Sequence, residues 1–137
     1  MTFSLLWKIH AVLMGISFLS MAGGVIISLL KKRIKGFFIL HKNLGITAAC
    51  TGITGIIIAM VMVQVSGGHH LTSLHSYLGA LTALLLISTP LLMLMKRTRG
   101  KKPFRVVHRI SGFLTLFLMA LTIFLGLNLV GIISLFY

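Results

Sequence analysis

The chain has 137 residues, 58% of them hydrophobic, and it carries 13 Lys and Arg against no Asp or Glu. Its mean hydropathy of +1.10 is more than a soluble domain of this size can hide from water. The missing carboxylates exclude an acidic proton relay, a carboxylate counter-ion and a hard-cation site built from Asp or Glu.

Four apolar segments follow one another, over residues 4–30, 37–63, 71–95 and 104–136. Each exceeds the roughly 20 helical residues needed to cross a hydrocarbon layer of about 30 Å. The first carries Lys8 and His10 near its start and Ala22-Gly23-Gly24 further on, and it ends in the basic stop Lys31-Lys32-Arg33-Ile34-Lys35. It lacks a basic start and a small-residue cleavage site, so it reads as a span and not as a cleaved signal peptide. The second segment includes Gly45, Gly52 and Gly55, spaced to let helix backbones approach closely. The single Cys50 lies mid-span and reads as a small packing residue. It has no partner for an internal disulfide, and there is no Cys-x-x-Cys-His for covalent haem attachment.

The second connection runs Gln64-Val-Ser-Gly-Gly-His69-His70, and Thr72 or Ser73 is placed to cap the third helix. Ser88-Thr89-Pro90 predicts a kink in that helix, with the hydroxyls satisfying the carbonyls that proline frees. The third connection is basic from Lys96 to Arg105, and Pro103 suits the first turn of the fourth helix.

Lys and Arg number five around the first connection (Lys31, Lys32, Arg33, Lys35, Lys42) and none in the second. The third has seven (Lys96, Arg97, Arg99, Lys101, Lys102, Arg105, Arg109). The positive-inside rule then puts the first and third connections in the cytoplasm and both termini outside, in the cytoplasmic membrane. Cations placed between spans suit lipid headgroups and cofactor carboxylates, not nucleic acid. Connections this short predict an all-α integral membrane protein, an up-down-up-down four-helix bundle forming one domain over 1–137.

One histidine falls in each apolar segment: His10, His41, His75 and His108, at intervals of 31, 34 and 33 residues. Three of them open the same phrase, His41-Lys-Asn-Leu-Gly45, His75-Ser-Tyr-Leu-Gly79 and His108-Arg-Ile-Ser-Gly112. Positions i and i+4 share a helix face, so glycine there leaves a slot for something flat beside the imidazole. A buried imidazole beside such a slot suits an axial haem ligand. In the first segment the i+4 residue is Met14, a second candidate ligand, and Gly15 comes one residue late.

Because the helices alternate in direction, His10 and His75 fall toward the outer face and His41 and His108 toward the cytoplasmic face. Helices one and three are diagonal in such a bundle, as are two and four, so each pair can grip one haem iron from opposite sides. The two irons would be roughly 20 Å apart. Fourteen residues beyond each histidine, about 21 Å along a helix, lie Gly24, Gly55, Thr89 and Thr122. All are small, which reads as room for the haem held at the other end. His69 and His70 lie in a polar loop and read as solvated.

Leu74-His75-Ser76-Tyr77-Leu78-Gly79 resembles the Leu-His-Ser-Trp-x-Gly phrase of the cytochrome b561 family. His10-Ala-Val-Leu-Met14 is similar to that family's first His-x-x-Leu-Met, and Val107-His108 through Leu125-Gly126 resembles its last core helix. The resemblance covers nearly the whole chain. It implies two haems b, held by His10 with His75 and by His41 with His108. It also implies electrons passing from a donor on one side to an acceptor on the other.

Many relatives have six helices and oxidise ascorbate. This chain has the core four, and its first connection does not reproduce the aromatic-basic ascorbate motif. A quinol, an ascorbate-like reductant or a redox partner protein are the donors considered. Two propionates per haem explain the absence of acidic residues, with Lys42, Arg105 and Arg109 placed for the cytoplasmic haem and Lys8, His69 and His70 for the outer one. The chain then acts as an electron carrier or an oxidoreductase subunit. Two alternatives are a haem-binding anchor among other subunits of a larger redox complex, and a haem-free structural membrane subunit.

Overall fold

The computed structural model describes residues 3–31, 33–95 and 101–132. Four helices make up the fold, α1 (Phe3–Leu29), α2 (Phe37–Val65), α3 (Leu74–Met95) and α4 (Lys101–Leu129), with no strand among the described residues. All four are long and apolar enough to cross a membrane, and the protein is an all-α integral membrane bundle.

Helix ends follow local chemistry. Gly36 enters α2 with φ 71°, a left-handed conformation that costs glycine little. Leu71 also has positive φ, at 58°, which breaks the chain between the second connection and α3. The third helix therefore starts at Leu74 and not at residue 71. Ser73 is its cap: its Oγ accepts from the Ser76 amide at 3.2 Å, and Ser76 Oγ accepts from the Ser73 amide at 3.1 Å. This reciprocal pair is the capping-box device with serine in place of glutamate. Pro103 falls in the first turn of α4. At the other end α4 stops at Leu129, short of the expected 136, where Gly131 turns left-handed at φ 73°. Residues 133–136 of that span lie outside the described ones, as do Lys32, Lys96, Arg97 and Arg99 of the basic connections.

Helix α3 runs through Pro90 unbroken. Proline removes the donor for the carbonyl four residues back, that of Leu86. The hydroxyls do not take its place. Ser88 and Thr89 both donate to the carbonyl of Leu85, at 3.3 and 2.7 Å.

Helix α1 packs along α2 and α3 along α4, while the two hairpins meet more sparsely through α1–α4 and α2–α3. Among the described residues the backbones of α1 and α3, and of α2 and α4, do not come close to one another, so these are the diagonal pairs. The outward faces carry Phe38, Ile39, Leu84 and Phe117, as a lipid-facing surface should. Inside, the buried residues are mostly small or hydroxyl-bearing: Ser17, Ser20, Thr82, Thr89, Ser111, Thr115 and Thr122, with Gly24, Gly52, Gly55, Gly112 and Ala48, beside Leu6, Leu86, Leu118 and Met119. Small polar residues suit a membrane interior, where apolar area gives no preference for burial over lipid and close packing decides. Cys50, expected as a packing residue, is exposed on the outside of the bundle. Gly52 fills that inner role on α2, since a Cβ there would overlap Leu86 and lie 2.8 Å from Ser17 Oγ.

Candidate functional site

All four segment histidines are partly buried and make the same bond with Nδ1. His10 Nδ1 lies 2.8 Å from the Gly55 carbonyl and His41 Nδ1 2.9 Å from the Gly24 carbonyl. In the second hairpin His75 Nδ1 lies 2.9 Å from the Thr122 carbonyl and His108 Nδ1 3.0 Å from the Thr89 carbonyl. The acceptors are the four positions fourteen residues beyond the histidines, whose small size in the sequence suggests room for a second haem. Small residues there also let two backbones come close enough for a carbonyl on one helix to meet an imidazole on its neighbour.

The chemistry that follows is specific. A carbonyl oxygen can only accept, so each Nδ1 carries the proton and each Nε2 keeps a free lone pair. A histidine that ligates a metal through one ring nitrogen commonly donates its other N–H to a backbone carbonyl or carboxylate, which fixes tautomer and ring orientation. Four imidazoles are thus set up to ligate through Nε2.

They form two layers. One holds His10, Gly55, His75 and Thr122, and the other His41, Gly24, His108 and Thr89. Along α1 the layers are fourteen residues apart, about 21 Å at helical rise. In the second layer the rings of His41 and His108, on diagonal helices, have centroids 6.0 Å apart and planes at 84°. Rings this close on diagonal helices would let His41 and His108 together hold one metal-bearing group. In the first layer His75 lies within electrostatic range of His10.

The slots beside the histidines are open to differing degrees. A Cβ on Gly45 would meet nothing within 4 Å, one on Gly79 would reach only Thr122 Cγ2 at 3.7 Å, and one on Gly112 only Met21 Cε at 4.0 Å. Met14, the second candidate ligand, has its sulfur against Gly55, 3.0 Å from where a Cβ would stand. Sequence reasoning gave Gly126 no role, yet a Cβ there would lie 2.9 Å from His75 Cε1 and 3.2 Å from its Nδ1. Gly126 lies one turn beyond Thr122, the acceptor for the same ring, a link that only the packed helices reveal.

The cationic candidates Lys8, Lys42, Arg105 and Arg109 are exposed near the helix ends, as are His69 and His70 in the second connection. Among the described residues no group of three or more His, Cys, Asp or Glu gathers as for a protein-only metal site. A haem needs only one or two protein ligands, so it does not depend on such a cluster.

The fold and its histidine layers define a transmembrane bundle with imidazoles arranged in pairs. The family model described as eukaryotic cytochrome b561 matches residues 9–134, and the chain belongs to the cytochrome b561 family. No curated protein and no solved structure gives a match. Membership carries with it b-type haem binding and transmembrane electron transfer, in contact with the lipid bilayer.

Proposed function

We propose that the chain carries electrons across the membrane through two haems b. His10 and His75 hold one near the outer face, and His41 and His108 hold the other near the cytoplasmic face. The carrying observation is the set of four Nδ1–carbonyl bonds, which leaves four Nε2 lone pairs in two layers. Bound there, haem supplies reversible one-electron exchange at its iron.

The chain's own residues account for binding and orientation. The carbonyls of Gly55, Gly24, Thr122 and Thr89 stop each imidazole from rotating and keep its proton on Nδ1. Gly45, Gly79 and Gly112 keep side chains out of the space beside three of the rings. Lys42, Arg105 and Arg109 on the cytoplasmic side and Lys8 outside are the cations for propionate, with His69 and His70 as further basic side chains near the outer haem. With no Asp or Glu in the chain, no carboxylate of its own competes for them. The residues of 1–137 act as one domain. The donor is a quinol from the bilayer, an ascorbate-like reductant or a protein partner.

Haem quantification on the purified protein, with a reduced-minus-oxidised spectrum, tests this. Two b-type haems per chain are expected, all extracted by acid acetone. His75→Ala and His108→Ala should each leave about one haem, while replacing His69 and His70 together should leave two. A single haem in the parent protein, or full haem content in either histidine variant, overturns the reading.

A further inference from the structure

The four anchoring carbonyls are not chemically alike. Those of Gly24, Gly55 and Thr122 precede Val25, Ile56 and Ile123 and belong to ordinary secondary amides. Thr89 precedes Pro90, so the carbonyl that receives His108 Nδ1 belongs to a tertiary amide. A second carbon on the amide nitrogen releases electron density toward the oxygen and makes it the stronger acceptor of the two types.

The surroundings hold that carbonyl in place. Thr89 is buried, and its hydroxyl donates to the Leu85 carbonyl at 2.7 Å. That spends its only proton, so in the Thr89–Ser111 hydroxyl pair Ser111 is the donor. Ser111 lies three residues beyond His108 on the same helix face. One face of α4 thus grips Thr89 twice, by side chain and by backbone. Proline inside α3 lacks a hydrogen-bond donor and leaves the Leu86 carbonyl without its helical partner, and the neighbouring hydroxyls do not restore it.

We propose that Pro90 is a positioning residue that tunes the cytoplasmic-side centre through Thr89 and His108. At its 3.0 Å distance the tertiary amide draws on the Nδ1–H of His108 more strongly than a secondary amide in the same place would. Electron density shifts toward Nε2, and the ligand becomes more basic. A more electron-rich imidazole would favour the oxidised state of a metal it holds, so Pro90 lowers the reduction potential at the His41–His108 layer and leaves the other layer alone. This rests on reading His41 and His108 as haem ligands.

A spectroelectrochemical titration of the full-length haem-loaded protein tests it. The parent is compared with Pro90→Ala and with protein carrying 4,4-difluoroproline. The chain has only two prolines, so a Pro103→Ala background confines the analogue to position 90. Fluorine withdraws density from the amide while keeping the ring and its effect on the helix. Both changes should make reduction of one haem easier, for alanine by about threefold, which is roughly 30 mV for one electron. The haem that moves should be the one missing from His108→Ala, and the other should stay in place.

Loss of the expected haem count in the parent, or full haem in His108→Ala, would sink the ligand assignment itself. If that assignment holds and the difluoroproline protein titrates like its Pro103→Ala parent, Pro90 only shapes the helix and the tuning inference is overturned. The analogue keeps the test decisive even if Pro90→Ala fails to fold.

Discussion

His75 lies with its ring flat against the backbone of Gly126, and no other histidine has so close a glycine neighbour. A methyl group there would stand 2.9 Å from Cε1 and 3.2 Å from Nδ1, inside contact distance. The ring would have to turn, and turning weakens its bond to the Thr122 carbonyl. On the two-haem proposal Gly126→Ala should therefore cost the haem held at His75, read as haem per chain, while the protein still inserts and purifies. Gly45 offers the opposite case. Added bulk there meets no protein atom within 4 Å, so Gly45→Ala should leave the thermal melting of the haem-free protein unchanged. If a haem fills the slot beside His41, the same variant should bind haem more weakly. An unchanged affinity would mean the slot serves no such purpose. The histidines and the glycines one turn beyond three of them were legible from spacing alone. Gly126 was not, because the ring that requires it belongs to another helix.

At the scale of the helix, each hairpin is registered at both ends by a reciprocal bond. In the first, His10 reaches Gly55 on α2 and His41 reaches back to Gly24 on α1. Ser17 Oγ donates to the Ala48 carbonyl at 2.7 Å on the same antiparallel register, midway between them. A one-residue slip would break all three, so the contacts that aim the histidines also fix the hairpin. The small residues fourteen beyond each histidine were visible in the sequence, but the bonds their carbonyls make were not. An apolar period tells which residues are small, and only the packed pair shows that a carbonyl is brought within reach. Ser88 and Thr89 show the same limit, since they serve Leu85 and not the carbonyl that Pro90 frees. Gly52 sits at the centre of this packing, against Leu86 and Ser17. Gly52→Ala should lower the midpoint of thermal unfolding in detergent, by the roughly 1–3 kcal/mol typical of an overpacked site. Ser17→Ala removes one interhelical bond and should cost less, about 0.6 kcal/mol. Equal costs for the two would count against close packing as the main source of hairpin stability.

For the molecule as a whole, orientation rests on charge and not on packing. The four-helix arrangement was readable because span length, connection length and the alternation of basic and uncharged connections all agree. The sides of the membrane enter only through the lysines and arginines, five around the first connection, seven around the third and none in the second. With the sides set this way, His10 and His75 belong to the outer layer and His41 and His108 to the cytoplasmic one. Labelling tests that order. Cys50, the only native thiol, is first replaced in Cys50→Ser, and single cysteines are then introduced by His70→Cys or Lys35→Cys, both at exposed positions. Lys35→Cys removes one cation of five and leaves the inside signal in place, and His70→Cys changes none of the Lys and Arg that set it. In intact cells a membrane-impermeant maleimide should label the His70→Cys protein and leave the Lys35→Cys protein unmodified until the membrane is opened. The reverse pattern would put both termini in the cytoplasm and exchange the two histidine layers. The centre nearest an external redox partner would then be the His41–His108 pair that Thr89 and Pro90 flank.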